Sequence, residues 1–376
     1  MDTEHKPAPA DRLLSIDALR GFDMLCIIGG TEVVAAAVSL VSPSTGAFLN
    51  QQFDHVTWEG FRFEDLIFPL FVFVVGAVLP FSLTRRLERG ESRFALYRHV
   101  VLRALALVAL GLLYNGILKK DVDWSHQRYA GVLQRIGICY FFAAVAVMHL
   151  GDRGLAGLTA ALLAGYWAMM RFIPAGGYTG DYSMEHCLSS YVDQRWLPGA
   201  LYYKFGDNEG ILSHIPAVAS ATIGALAGRW LRRAEPGPWR KVGGLVAAGA
   251  GCLAAGWLWS FWFPIVKNIW TSSFVLWAGG WSLFLLALFY AAIDVLGRRR
   301  WAFFLVVIGA NPITIYLLER VVDFDPVARF FVGHALKHVG RFEELLLFSA
   351  IVAIKWGILL LLYRKKIFLK DRKSVV

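Results

Sequence analysis

Apolar blocks of roughly twenty residues recur along the chain, at 14–42, 64–84, 96–117, 131–149, 154–173, 211–232, 241–265, 272–296, 302–323 and 344–364. About twenty residues is the length a helix needs to cross the hydrocarbon layer of a bilayer. Backbone groups in lipid must be satisfied within the segment or by a closed barrel. Long apolar runs without alternation favour helices over a barrel. Composition agrees: of 376 residues 57% are hydrophobic and only 18% charged, against roughly a quarter charged in a soluble domain. The expected fold class is therefore an all-α integral membrane protein, a bundle of about ten transmembrane helices with both termini cytoplasmic. One membrane domain is expected over 14–370, with a flexible cytoplasmic tail at 1–13 and a C-terminal tail at 371–376. No signal peptide is expected before the first block, and no internal repeat, low-complexity stretch or soluble domain is visible.

The orientation rests on Lys and Arg, which concentrate in short cytoplasmic loops. Segments on one side carry 22 of them: Lys6, Arg12, the 85–98 and 229–241 stretches, Arg153, Arg298 to Arg300 and the C-terminal tail. The longer segments on the other side, 43–63, 118–130, 174–210, 266–271 and 324–343, carry 10. The net charge of +10 therefore reads as membrane orientation, with the lipid bilayer and not nucleic acid as its partner. The 174–210 loop reads as a small lid. Trp58, Trp124, Trp196 and Trp270 suit an interfacial belt on that face. The four cysteines, Cys26, Cys139, Cys187 and Cys252, form no CxxC pair, and no HExxH or other ligand-spaced cluster suggests a metal.

Ionisable residues within a span are costly and call for partners or a function. Asp17 and Arg20, three apart in SIDALRGF, share a helix face. They form either a local ion pair or a place where Arg20 meets an anion. Arg103 lies about one turn inside the third span and Arg135 near the outer start of the fourth. If all three arginines face the interior, they make a path for a phosphorylated ligand; simple snorkelling is the alternative for Arg103. Asp23, Glu32, Glu319, Arg320 and Lys355 belong to the same class. His55, in the outer loop before the second span, is followed ten residues later by Asp65. A carboxylate that orients a histidine makes a base, although a solvated loop histidine and a helix N-terminal carboxylate are the plainer readings. In GANPITIYLLER, Pro312 interrupts the ninth span and Asn311 offers a donor and an acceptor at depth.

SIDALRGF, HVTWEGFRFEDLIFPLFVFVVG, AGVLQRIGICYF, DNEGIL, PIVKNIWTSSFV, ANPITIY and LYRKKIF occur in that order from about residue 14 to 370. Together they resemble the membrane part of the heparan-α-glucosaminide N-acetyltransferase family and its bacterial NagX-type relatives. The resemblance implies a homodimeric, multi-pass acetyltransferase, here of a bacterial inner (plasma) membrane. Acetyl-CoA would be the cytosolic co-substrate, coenzyme A the product, and an amino sugar on the far side the acceptor, with no metal. It implies His55 and Asp65 as catalytic residues. Arg20, Arg103, Arg135 and Asn311 would hold the donor, and Trp58, Glu59, Glu209, Lys267 and Asn268 the acceptor; Gly210 also matches. The pattern departs at Glu59, where the family has Asn, and near Thr31, where a first-span Asn has no counterpart. Both departures bear on the acceptor more than on the donor. The rival reading is an inner-membrane transporter of an amino sugar such as N-acetylglucosamine, because an Asn-Pro break is a common midplane device in transporters.

Overall fold

The computed structural model describes residues 13–117 and 123–368. The expected tails at 1–13 and 371–376 lie outside them apart from Leu13, as do Lys119 and Lys120. The first block forms α1 (Leu14–Leu25) and α2 (Thr31–Val41), joined through a wide turn over Cys26–Gly30. There Gly29 takes φ 114°, a left-handed conformation that a side chain would strain. Next come α3 (Pro43–Gln52), α4 (Glu64–Glu88), α5 (Arg93–Tyr114), α6 (Val132–His149), α7 (Asp152–Phe172) and the short α8 (Leu188–Trp196). Then follow α9 (His214–Arg232), α10 (Pro238–Ser260), α11 (Ser272–Phe289), α12 (Ala302–Ala310), α13 (Pro312–Val321), α14 (Phe324–Leu336) and α15 (Glu343–Arg364). Among the described residues only isolated bridges, and no sheet, occur. The chain is an all-helical, multi-pass membrane bundle.

Among the described residues, eight helices are long and apolar enough to cross a bilayer, or nine when α12 and α13 count as one span bent by 69°, against the ten expected spans. The break falls at Asn311–Pro312, where proline has no N–H to continue the ladder. The remaining predicted span is α9. Its Ser, Thr, Gly and Arg content lowers its apolarity, yet thirteen of its nineteen residues are buried. It packs along α4 and is flanked by α6, α7 and α11. A helix walled in by protein does not need the apolarity that lipid demands of α5, α7, α10 and α15, which bury less than a third of their residues in the bundle. Three expected loops also contain helix: α3, α8 and α14. Each is amphipathic or short and lacks the long apolar run that marks a span.

α4 and α9 run parallel and nearly touch. A Cβ at Gly76 would stand 1.8 Å from the Ala221 carbonyl oxygen, and one at Gly224 1.9 Å from that of Phe73. Small residues at such a crossing let backbones approach where lipid supplies no hydrophobic drive. Beyond the crossing Arg232 reaches Glu88, while Arg229 and Arg233 both bind Asp152 at the same end of the bundle. Of the ionisable residues expected inside spans, Lys355 on α15 pairs with Glu319 on α13 and donates to the Ile28 carbonyl at 2.9 Å. That pair ties the bent span to the turn after α1.

Candidate active site

The loop before α4 and the loop between α10 and α11 meet at the end of the bundle opposite those arginine pairs. An antiparallel bridge joins Glu59 to Val266, and Gly60 N donates to the Ile265 carbonyl at 2.9 Å. Trp58 Nε1 donates to the Tyr182 carbonyl at 2.9 Å and its ring meets Tyr203 edge-on, so the long loop carrying α8 covers this junction. Trp270 holds φ 54°, rare for a bulky residue and held here by its surroundings. Its N–H closes a turn onto the Lys267 carbonyl, which sets the direction in which Lys267 leaves the loop.

His55 Nδ1 lies 3.0 Å from Asp65 Oδ1. Asp65, in the first turn of α4, has a fully buried side chain while that of His55 is 52% exposed. The other carboxylate oxygen accepts from Arg62 N at 3.0 Å and Val56 N at 3.4 Å. Lys267 Nζ is 3.3 Å from Asp65 Oδ1. A carboxylate that faces this many donors is held in one orientation. It accepts Nδ1–H and leaves the lone pair of the histidine on Nε2. Asn268 also enters this site, with Nδ2 3.5 Å from the Thr57 carbonyl. The exposed Glu59 stands on its rim.

A second polar cluster lies behind the dyad. Arg128 binds Asp207 through two nitrogens, at 2.9 and 2.6 Å, and also reaches Glu209. Asp207 and Glu209 are buried; this guanidinium is the side chain that both bind, while Asp207 also accepts from the N–H groups of Tyr202 and Glu209. Glu209, expected at the acceptor, faces Arg128. Asp193 on α8 accepts from Ile211 N at 2.8 Å and Asp207 N at 3.3 Å, and burial pushes its carboxyl up to about 6. Arg135 is fully buried beside this cluster, stacked over Trp270 at 4.7 Å and bonded through Nη2 to Ser213 Oγ. Its Nε and Nη1, and the Nε2 of His214, have no partner among the described residues. Removing one partner of a buried pair leaves uncompensated charge. Arg128→Met is therefore expected to destabilise the protein by about 3 kcal/mol, read as a fall in the thermal midpoint in detergent. Arg128→Lys should recover only part of this, because an ammonium cannot form the two-pronged contact.

The three span arginines do not form one contiguous path. Arg20 binds Asp17 at 3.0 Å, near the other end of the bundle. Arg103 is exposed and lies over the Tyr140 ring at 4.8 Å, which fits the outward reading. Asn311, although buried, donates to the Ile367 carbonyl at 3.0 Å. Trp270 is buried under Arg135, unlike the exposed Trp124 and Trp196, so it does not belong to an interfacial belt. A cavity of about 530 Å³ is an apolar slot between α6, α7 and α9 whose walls include no residue of the dyad. Arg128 and Asp193 escaped the sequence reading. A loop arginine and a loop aspartate carry no pattern that marks them as buried, and only DNEGIL pointed to their surroundings. Among the described residues no group of three or more His, Cys, Asp or Glu side chains is placed to hold a metal.

Comparison with known proteins gives two curated relatives. The chain is 26% identical to the heparan-alpha-glucosaminide N-acetyltransferase of Homo sapiens over 417 aligned residues, covering 96% of this chain and 60% of the relative. It is 24% identical to the enzyme of the same name from Mus musculus, covering 98% of this chain and 62% of that protein. The chain thus spans about three fifths of the length of these relatives. No family model matches it.

Proposed function

The chain belongs, as a distant member, to the family of the heparan-alpha-glucosaminide N-acetyltransferases, and on that premise we propose that it transfers an acetyl group from acetyl-CoA to the amine of a glucosamine-type sugar, with His55 as the reactive group. The observation that carries the reading is the dyad. A half-exposed imidazole is fixed through Nδ1 by a buried carboxylate, so a lone pair on Nε2 is available at the surface of a membrane bundle. Such a group serves as general base toward an amine, or takes the acetyl group itself before passing it on. The acetyl carbon leaves the thioester sulfur for the amine nitrogen. An ammonium acceptor loses two protons in becoming an amide; one accounts for the thiol of coenzyme A and the other passes to solvent.

In this reading the anionic nucleotide rests at the cytoplasmic end, near Arg20 and Arg103, and the pantetheine arm reaches through the bundle. The acceptor approaches His55 from the periplasmic face, past Trp58, Glu59 and Asn268. Asn268 is better placed than Asn311 to donate to a developing oxyanion, because it shares the dyad's loop junction. A homodimer in a bacterial inner membrane completes the proposal.

Sealed, oriented vesicles test it. With radiolabelled acetyl-CoA on the face bearing Arg85, Arg229 and Arg233, label is expected on glucosamine at the opposite face. Accumulation of unmodified N-acetylglucosamine without acetyl-CoA would instead support the transporter, the reading that the 69° break at Asn311–Pro312 favours.

A further inference from the structure

Lys267, matched above to the acceptor side, stands directly against the dyad. Its Nζ lies 2.9 Å from His55 Nδ1 and 3.2 Å from His55 Nε2. The two ring lone pairs diverge within the ring plane, so one ammonium within reach of both nitrogens stands against the face of the imidazole. Its carboxylate partner is Asp65 Oδ1 at 3.3 Å, the same oxygen that His55 uses. The Lys267 side chain is only 12% exposed, closed in by the loop junction. A buried ammonium is kept charged by a carboxylate partner.

We infer that Lys267 is a positioning residue that supplies the cation balancing Asp65, so that His55 stays uncharged and keeps its Nε2 lone pair. The inference deepens the acetyl-transfer reading and, for its consequence in turnover, rests on it. Lys⁺, Asp⁻ and neutral imidazole sum to zero; an added proton on His55 would set two cations about 3 Å apart. The other charged groups around the pair are Glu64 on α4, which acts on both His55 and Lys267, and Glu209 of the DNEGIL segment, which acts on Lys267. Asp54 and Arg62 flank His55, Arg62 donating to the His55 carbonyl at 3.1 Å and standing 4.0 Å from Asp54. Burial lowers the affinity of Lys267 for its proton, and the Asp65 carboxylate opposes that shift most strongly.

A lysine whose charge Asp65 did not share with His55 would leave the titration of free His55 unchanged. Diethyl pyrocarbonate modifies only neutral imidazole, so its rate on His55, followed by peptide mass spectrometry over roughly pH 5 to 9, reports the charge of that ring without any substrate. The midpoint in Lys267→Met is expected to rise by at least about one unit, a tenfold gain in proton affinity, and in Lys267→Arg to stay near the wild-type value. Asp65→Asn, with Lys267 in place, should move it the other way. The acid limb of kcat/KM should shift upward by the same amount in Lys267→Met. An unchanged or lowered midpoint in Lys267→Met overturns the inference. Should that variant not fold, Lys267→Gln and Asp65→Asn decide by the same titration. If acetyl transfer itself fails while the midpoints move as stated, the functional proposal falls and the assignment of Lys267 stands.

Discussion

His55→Ala is expected to reduce acetyl transfer by about 10²–10⁴-fold, the usual contribution of a positioned general base, while the thermal midpoint stays within a degree or two of wild type. The two effects separate for a structural reason. The half-exposed ring fills no core position, and its side-chain contacts are with Asp65 and Lys267. Asp65 keeps three other donors when the ring is removed, the N–H groups of Arg62 and Val56 and the ammonium of Lys267. Asp65→Asn makes the complementary case. It preserves shape but replaces the acceptor facing Nδ1, so activity falls through loss of the tautomer and of the charge balance. Steady-state rates with acetyl-CoA and glucosamine, alongside thermal unfolding of the same preparations, check both. A His55→Ala protein that acetylates at the wild-type rate removes the dyad from the reaction.

Gly224→Val should have the largest effect on stability, at least about 3 kcal/mol, the upper end for overpacking a tight interior. The added Cβ would stand 1.9 Å from the Phe73 carbonyl oxygen. That atom is backbone within α4, and a turn of helix cannot yield as a side-chain tip does. Separating α4 from α9 would disturb the crossing at Gly76 and the Arg232–Glu88 contact beyond it. It would also shift the first turn of α4, where Asp65 orients His55, so activity should fall with stability. The control is Gly251→Ala on α10, where a Cβ meets nothing within 4 Å. There better helix propensity should give a neutral or slightly stabilising change. Thermal midpoint and monodisperse yield in detergent distinguish the two outcomes.

Much of the bundle was legible because lipid imposes a length and a polarity on any segment that touches it. That rule locates α4, α5, α6, α7, α10, α11 and α15 within a few residues, and proline at 312 marks the break between α12 and α13. It also places α9, expected over 211–232 and found at His214–Arg232, although a helix surrounded by other helices answers to packing more than to lipid. It misses α3, α8 and α14, which lie in the segments between spans. The His55–Asp65 pair was visible as a spacing of ten, and the resemblance to an acetyltransferase family reinforced it. The arginine path was not realised, because a helix position alone does not say whether a long side chain points inward or, as Arg103 does, outward.

By itself the sequence determined an all-helical membrane protein, the order of its spans as a series of apolar blocks, and the residue types from which a reactive site would be built. Each of these follows from local chemistry: apolar length, charge placement and the acid–base character of side chains. Only the tertiary structure decided that Lys267, 212 residues from His55 along the chain, shares its carboxylate. It also decided that Arg128 binds both Asp207 and Glu209, and that Arg20 pairs with Asp17 far from the dyad. Charge balance is a property of side chains within a few ångströms of each other, and the loops that bring these together do so through backbone bonds that any residue could make.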